Sequence, residues 1–111
     1  MVTRFKQALE AGKLAHDWLL TNAPNDKALA GSAAVNFMML YGYLAGGWMM
    51  VRSGMQAQSM LAQGEGDAEF LNAKLITVRF FCEHLLPRAQ AHQEAAMAGS
   101  ESIMALAEEM F

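Results

Sequence analysis

Three histidines and one cysteine are the side chains of this 111-residue sequence that could do chemistry most directly. Imidazole nitrogens and a thiolate can ligate a metal ion, or act as base and nucleophile. His84 and His92 share roughly one helix face but lie about 12 Å apart along its axis, too far to ligate one ion. His16 is remote from both in sequence. No Glu-x-x-His pair occurs in either long predicted helix, so the di-iron bundle signature is missing.

The cysteine and the acidic residues have structural interpretations. Cys82 falls on an apolar helical stripe, where a thiol is usually a buried hydrophobic group with a raised pKa. Glu65, Asp67 and Glu69 cluster where a helix is predicted to begin, and the helix dipole favours acidic side chains there whatever the function. The sequence therefore predicts no catalytic, cofactor-binding or metal-binding residue in this chain.

The composition excludes some functions and predicts a covered surface. A net charge of -3 with scattered Lys and Arg excludes a nucleic-acid partner. A single cysteine and an N-terminus without a secretory apolar segment lead us to expect a cytosolic protein. Hydrophobic residues make up 54% of the chain and charged residues 17%, against roughly 25% charged in ordinary domains. This excess predicts that something else buries part of the surface.

Periodicity predicts an all-α fold in a single domain over residues 1–111. The expected architecture is an up-and-down bundle of four helices, of which the second and third are long and central. The first helix should begin at an N-cap Thr3 and end near Asn22, because a proline follows. The second, capped by Asn25 or Asp26, should run to about Gln63.

The third helix should follow the glycine-containing break before its N-cap, Asp67. Pro87 lies inside it and should kink it, or weaken its hydrogen bonding one turn earlier. Gly99 should end it, and Ser100 should cap a short final helix. The apolar stripe predicted for the third helix is Leu71, Leu75, Val78, Cys82, Leu85, Ala89 and His92. In the final helix, the side chains expected to face inward are Ile103, Met104, Leu106 and Ala107.

The uncharged run Ala28–Val51 is long enough to cross a bilayer, which takes about 20 residues. Ser32, Asn36 and several glycines would make its insertion weak. A lone span would also leave the apolar stripes of the other helices without a partner. We therefore predict a buried bundle helix and no membrane span, and we assign the glycines to close helix packing.

Three stretches carry a family resemblance: YGYLAGGWMMVRSGMQAQ, FLNAKLITVRFFCEHLLPRAQAH and AGSESIMALAEEMF. They resemble the C-terminal extra helical domain of long acyl-CoA dehydrogenases, in the subgroup that includes the 3-methylmercaptopropionyl-CoA dehydrogenase type. The aromatic-Leu-x-Gly-Gly-Trp core and the Lys-x-x-x-x-Arg-Phe helix recur in that domain. The opening AHDWLL is similar too, so the resemblance spans most of the chain.

The resemblance implies a parent flavoenzyme of fatty acid metabolism, an oxidoreductase that oxidises acyl-CoA thioesters to enoyl-CoA. In that family FAD is the cofactor and an electron-transfer flavoprotein accepts the electrons. The family's catalytic glutamate motif and its flavin-binding domains are absent from this sequence. No site residue is carried over, so FAD is implied for the parent enzyme and no cofactor is implied for this chain.

Two functions follow from these observations. The first is the accessory C-terminal domain of an FAD-dependent acyl-CoA dehydrogenase, with a packing or oligomerisation role and no chemistry of its own. The alternative is a stand-alone helical module for interaction or dimerisation, derived from that domain. The expected partner is a second copy, most simply in a two-fold dimer, or the remaining domains of a dehydrogenase. The predicted contact residues are Gly42, Gly46 and Gly47, or methionines near Met49 and Met50.

Overall fold

A computed structural model describes residues 1–111, and the chain is helical throughout with no strand. The helices are α1 (Val2–Asn22), α2 (Leu29–Gln63), α3 (Ala68–Phe80), α4 (Arg88–Ala96) and α5 (Glu101–Met104). A π-helical turn, Phe81–Leu85, joins α3 to α4, and 3-10 turns lie at Ala23–Asn25 and Glu108–Met110. Because α3, the π turn and α4 continue one another, they form the single third helix that the sequence predicts. The all-α bundle of four helices is confirmed.

Helices α1 and α2 end at the residues that the sequence predicts, but both begin elsewhere. Helix α1 ends at Asn22 as predicted, but Thr3 lies inside the helix and is not its N-cap. The predicted start of α2, with Asn25 or Asp26 as the cap, was early, because a 3-10 turn occupies the residues after α1 and the helix begins at Leu29. Asp26 does not cap the helix in the standard position; its Oδ1 accepts a hydrogen bond from the Ala28 amide at 3.0 Å, just before the first turn.

The α2–α3 connection is built as the sequence predicts. Gly64 ends α2 with φ of +70°, a left-handed conformation that suits glycine at a helix C-terminus. Asp67 then caps α3, since its Oδ1 accepts from the amides of Glu69 at 2.9 Å and Phe70 at 3.3 Å. These two bonds satisfy donors that the helix itself leaves unpaired.

Asp67→Ala should lower the free energy of unfolding by about 0.5–2 kcal/mol, the usual cost of losing an N-cap side chain. Glu65→Ala is the matched control, because Glu65 is exposed and makes no cap bond. Urea unfolding followed by circular dichroism measures both. Equal stability of the two variants would contradict the capping role of Asp67.

The π turn lies one turn before Pro87, where the sequence predicts disturbed hydrogen bonding. Proline has no N–H to donate and its ring crowds the preceding turn. The Leu86 amide instead donates to the Phe81 carbonyl at 2.9 Å, a bond to the fifth residue back. The helix therefore continues beyond the proline, and the apolar stripe of the third helix continues into α4.

The core lies around α2, which packs against α1, α3 and α4, while α1 also packs against α4. Its largest fully buried side chains are Leu29, Leu40, Leu86 and Val78. Every residue of the stripe predicted for the third helix is buried or half-buried. The exposed positions of that helix lie between them, so the predicted stripe is confirmed.

The final helix departs from the prediction. Ile103, Met104 and Leu106 are exposed, so the prediction that they face inward is wrong; only Ala107 is half-buried. The cause is local: Ser100 is buried and its Oγ donates to Asp26 Oδ2, which anchors the chain at the end of the bundle. Residues after Ser100 therefore extend beyond the elements that could cover them.

The molecule is elongated, with a Cα radius of gyration of 18.8 Å against about 13 Å for a compact chain of this length. Met1, beside the start of α1, lies against Gly54 of α2. Beyond that level α2 pairs with α3 alone, and the bundle becomes a two-helix arm. Helix α2 is also long and apolar enough to cross a membrane. A core helix passes the same test, and α2 forms the centre of this core.

Candidate functional site

The structure keeps the three histidines apart. His16 Nδ1 lies 3.1 Å from the Tyr41 hydroxyl, and His92 Nδ1 lies 3.0 Å from Asn36 Oδ1. His84 is exposed and stacks on the phenyl ring four residues before it. No group of three His, Cys, Asp or Glu side chains comes together that could hold a metal ion. Each histidine makes contacts of its own on the bundle surface.

Cys82 and the acidic side chains are likewise used structurally. Burial in the core raises the pKa of the Cys82 thiol, so the reactive thiolate is disfavoured. On the surface, the Arg79 Nε donates to Glu83 Oε1 at 2.8 Å and lowers the pKa of that carboxyl. Asp67 serves as the cap described above. Nothing in this set pairs a nucleophile with a base.

The feature that stands out is the side of α2 turned away from the bundle. Eight positions, alternately four and three residues apart, are all exposed. We call them the outer seam: Gly31, Val35, Met38, Gly42, Ala45, Met49, Arg52 and Gln56. An average step of 3.5 residues is the spacing by which one helix packs along another in a coiled coil. The first six of these positions are apolar or glycine.

The α2 glycines divide between the two sides of the helix. A Cβ at Gly42 would meet no atom within 4 Å, so this residue opens onto solvent. A Cβ at Gly47 would come within 2.9 Å of Leu86 Cδ1, and one at Gly46 within 3.0 Å of Phe81 Cζ. Gly46 and Gly47 are therefore used for packing within the bundle. Their predicted place in an outer contact is wrong, and Gly42 alone keeps it.

The methionines divide in the same way. Met38 and Met49 are exposed on the outer seam, whereas Met50 packs against the core. Met50 was predicted as an interface residue, and its burial removes it from that set. Met49 remains available, because its side chain is largely in solvent.

The outer seam continues into a groove between α2 and α3 on the two-helix arm. The groove has a volume of about 730 Å³. We call it the methionine groove; its main lining residues are Met49, Met55, Met60, Phe70, Arg52 and Lys74. No carboxylate lines it, and neither cation is in an ion pair. Lys74 Nζ lies 5.5 Å from the centroid of the Phe70 ring, and the Arg52 guanidinium lies 5.7 Å from that of Trp48.

The exposed area shows how much surface is available for a partner. The chain exposes 7591 Å², whereas a compact monomer of this mass would expose about 6,000 Å². Only 18 of 111 residues are buried. The excess of about 1,600 Å² is larger than the roughly 800 Å² that each partner contributes to a standard protein interface.

This arrangement defines a class: an all-α helical domain whose longest helix presents an exposed apolar face. Residues 1–107 match a family model described as acetyl-CoA dehydrogenase C-terminal like. The chain belongs to that family, and the resemblance drawn from its sequence is confirmed. A 3-methylmercaptopropionyl-CoA dehydrogenase of Ruegeria pomeroyi (strain ATCC 700808 / DSM 15171 / DSS-3) is 36% identical over 101 residues.

That alignment covers 91% of this chain but 17% of the relative, so the chain spans about a sixth of the relative's length. No solved structure matches the chain.

The residues of this chain do not fit a flavin. A dinucleotide needs convergent donors for its pyrophosphate, typically a glycine-rich turn between a strand and a helix, and the chain forms no strand. Every buried side-chain nitrogen and oxygen already has a hydrogen-bond partner, so none awaits a ligand. The pocket between α1 and α4, about 290 Å³, offers Arg4 as its only charged side chain among glutamines.

Sequence reasoning missed both the outer seam and the methionine groove. The seam has a visible signal, the alternating steps of four and three from Gly31 to Gln56. The groove has no such signal, because it depends on where α1 begins along α2 and on the side of α2 against which α3 packs.

Proposed function

We propose that this chain is the accessory C-terminal domain of an FAD-dependent acyl-CoA dehydrogenase and that its role is to pack or oligomerise the enzyme. The family match and the relative named 3-methylmercaptopropionyl-CoA dehydrogenase support the enzyme class. Binding of flavin and acyl-CoA would belong to the other domains of that protein. The acyl substrate is a property of those domains as well.

The observation that carries the packing role is the outer seam. All eight of its positions are exposed on a helix whose opposite side is fully occupied by the bundle. An apolar helix face with coiled-coil spacing is stable only when another helix covers it. Gly42 and Ala45 at the middle of the seam would let two helix backbones come close.

We propose a second copy of the chain as the partner in isolation, in a two-fold dimer with the two α2 helices antiparallel. A two-fold interface uses the same patch on both copies, and the seam is long enough to match itself end to end. The axis would pass between Gly42 and Ala45, with Met38 of each copy opposite Met49 of the other. No like charges then oppose each other along the seam, because Arg52 faces Val35.

Sedimentation velocity of the purified chain at micromolar concentration tests this proposal. We expect a dimer. The double variant Met38→Glu/Met49→Glu should be monomeric, with the dissociation constant raised at least about 100-fold, because four carboxylates would be buried along one seam. Leu20→Glu is the matched control, since Leu20 is an exposed apolar residue on α1, away from the seam.

A chain that sediments as a monomer at these concentrations would contradict the dimer. An unchanged dimer in the double variant would place the contact elsewhere. The coding sequence upstream distinguishes the accessory domain from the stand-alone module. An in-frame flavin-binding region supports the accessory domain, and its absence supports the module.

A further inference from the structure

We propose that the C-terminal segment Glu101–Phe111 of one copy docks in the methionine groove of a second copy. The inference rests on the proposed dimer and adds to it a second contact at each end of the seam. We call residues 101–111 the tail. The tail and the groove are both apolar features that the bundle itself leaves uncovered.

The tail is an amphipathic segment without a partner in its own chain. Its large apolar side chains are all exposed, and Phe111 is 92% exposed. They are Ile103, Met104, Leu106, Met110 and Phe111. Its charged residues are three glutamates, with no Lys or Arg. Such a segment is suited to an apolar groove that carries positive charge.

The methionine groove has the complementary chemistry. Its walls are methionine and phenylalanine, and flexible thioethers adapt well to an incoming helix or turn. Arg52 and Lys74 stand in it without a carboxylate partner. Glu65, Asp67 and Glu69 lie at the start of α3 but do not line the groove, so the groove itself is positive.

The tail cannot fill the groove of its own chain. Ser100 is tied to Asp26, beside the first turn of α2, and the groove centres near Met55. From Leu29 to Met55 a helix rises about 39 Å. Eleven residues stretched straight would span at most about 40 Å, and the helix α5 would have to unfold. The apolar residues in the first half of the tail would still fall short.

A second copy removes this difficulty. In the antiparallel dimer about Gly42 and Ala45, the level of Asp26 in one copy lies opposite residue 61 in the other. The tail of each copy therefore starts beside the far end of its partner's groove. Met49, Arg52 and Gln56 belong to both the outer seam and the groove, so the two contacts are continuous.

A truncated chain ending at Ser100 tests the docking. The truncation keeps Ser100 and its bond to Asp26, and it removes only residues whose apolar side chains are exposed or half-buried. We expect a dimer with a dissociation constant raised at least about tenfold, because both ends lose an apolar contact. Circular dichroism should show an unchanged bundle, and Phe111→Ser should weaken the dimer in the same direction.

Charge reversal tests the partner in trans. Lys74→Glu lies on α3 and outside the seam, so it changes the groove alone; Glu108→Lys/Glu109→Lys changes the tail alone. Each should weaken the dimer at least about fivefold, since each acts at both ends. Mixed in equal amounts, the two variants should associate with each other more tightly than either does with itself. Lys6→Glu is the control for Lys74→Glu, an equal charge change on an exposed residue of α1.

The outcomes separate the two proposals. A truncated chain that dimerises within twofold of the intact chain overturns the docking of the tail, and the seam dimer stands. The docking is also overturned if the two charge-reversed variants associate with each other no more tightly than each does with itself. A dimer retained in Met38→Glu/Met49→Glu contradicts the seam and also overturns the docking, because Met49 lines the groove and the position of the tail depends on the seam. A monomeric intact chain overturns both.

Discussion

Leu40→Ala should lower the free energy of unfolding by about 3–5 kcal/mol, near the top of the range for large-to-small core substitutions. Leu40 is 0% exposed and belongs to the cluster in which α1, α2 and the third helix meet. Removing its branched end takes away buried apolar contacts and leaves a cavity that helices held on several sides cannot close. A domain of this size has about 5–15 kcal/mol in total, so the variant would be marginal.

Leu20→Ala provides the matched control, because Leu20 is the same residue type on α1 and is 64% exposed. It should change stability by no more than about 0.5 kcal/mol. Urea unfolding monitored by tryptophan fluorescence at submicromolar concentration keeps association out of the comparison. A loss under about 1 kcal/mol for Leu40→Ala would contradict its place at the centre of the core.

Local signals in the sequence predicted most of the fold. The ends of α1 and α2, the Asp67 cap and the disturbance before Pro87 each depend on residues within a few positions, and the structure has all four. The predictions that were wrong concern the starts of α1 and α2, the tail, and the outer-contact residues Gly46, Gly47 and Met50. The tail and the contact residues depend on what lies across from each residue, and periodicity contains no such information.

Helix α2 shows why the sequence alone did not separate its buried side from its exposed side. It carries two seams with the same spacing, and both are apolar as far as Met49. The inner one is buried or half-buried, at Ala33, Phe37, Leu40, Leu44, Gly47, Val51 and Gly54. The outer one runs from Gly31 to Gln56 and is exposed. Only the placement of α1, α3 and α4 decides between them, so Gly42 and Gly47 looked equivalent until the helices were in place.

The inner glycine is a site where a small change should have a large effect. Gly47→Val should lower the free energy of unfolding by about 3 kcal/mol, at the upper end of the usual cost of overpacking. A Cβ there would lie 2.9 Å from Leu86 Cδ1 and 3.2 Å from Phe5 Cδ2. Leu86 is 1% exposed and Phe5 packs against the same core, so both side chains would have to shift to admit the larger residue. The higher helix propensity of valine recovers only a fraction of a kilocalorie.

Gly42→Val is the matched control for that substitution, because it makes the same change on the same helix in open space. At submicromolar concentration it should be neutral or slightly stabilising. The change in helix propensity is the same in both variants. The difference between their free energies of unfolding therefore measures the packing on the inner side of α2. Similar losses at both positions would show that valine harms the helix itself and that the close approach of α2 to the third helix is misplaced.

A double-mutant cycle with Leu86→Ala identifies the neighbour responsible. Leu86→Ala alone should cost about 2–5 kcal/mol, since it empties a buried position. In the double variant the valine at position 47 would occupy part of that space, so the two losses should fall short of their sum by about 1–3 kcal/mol. Losses that add within about 0.5 kcal/mol would mean that residue 47 and Leu86 do not touch. The α2–α4 contact would then need another explanation.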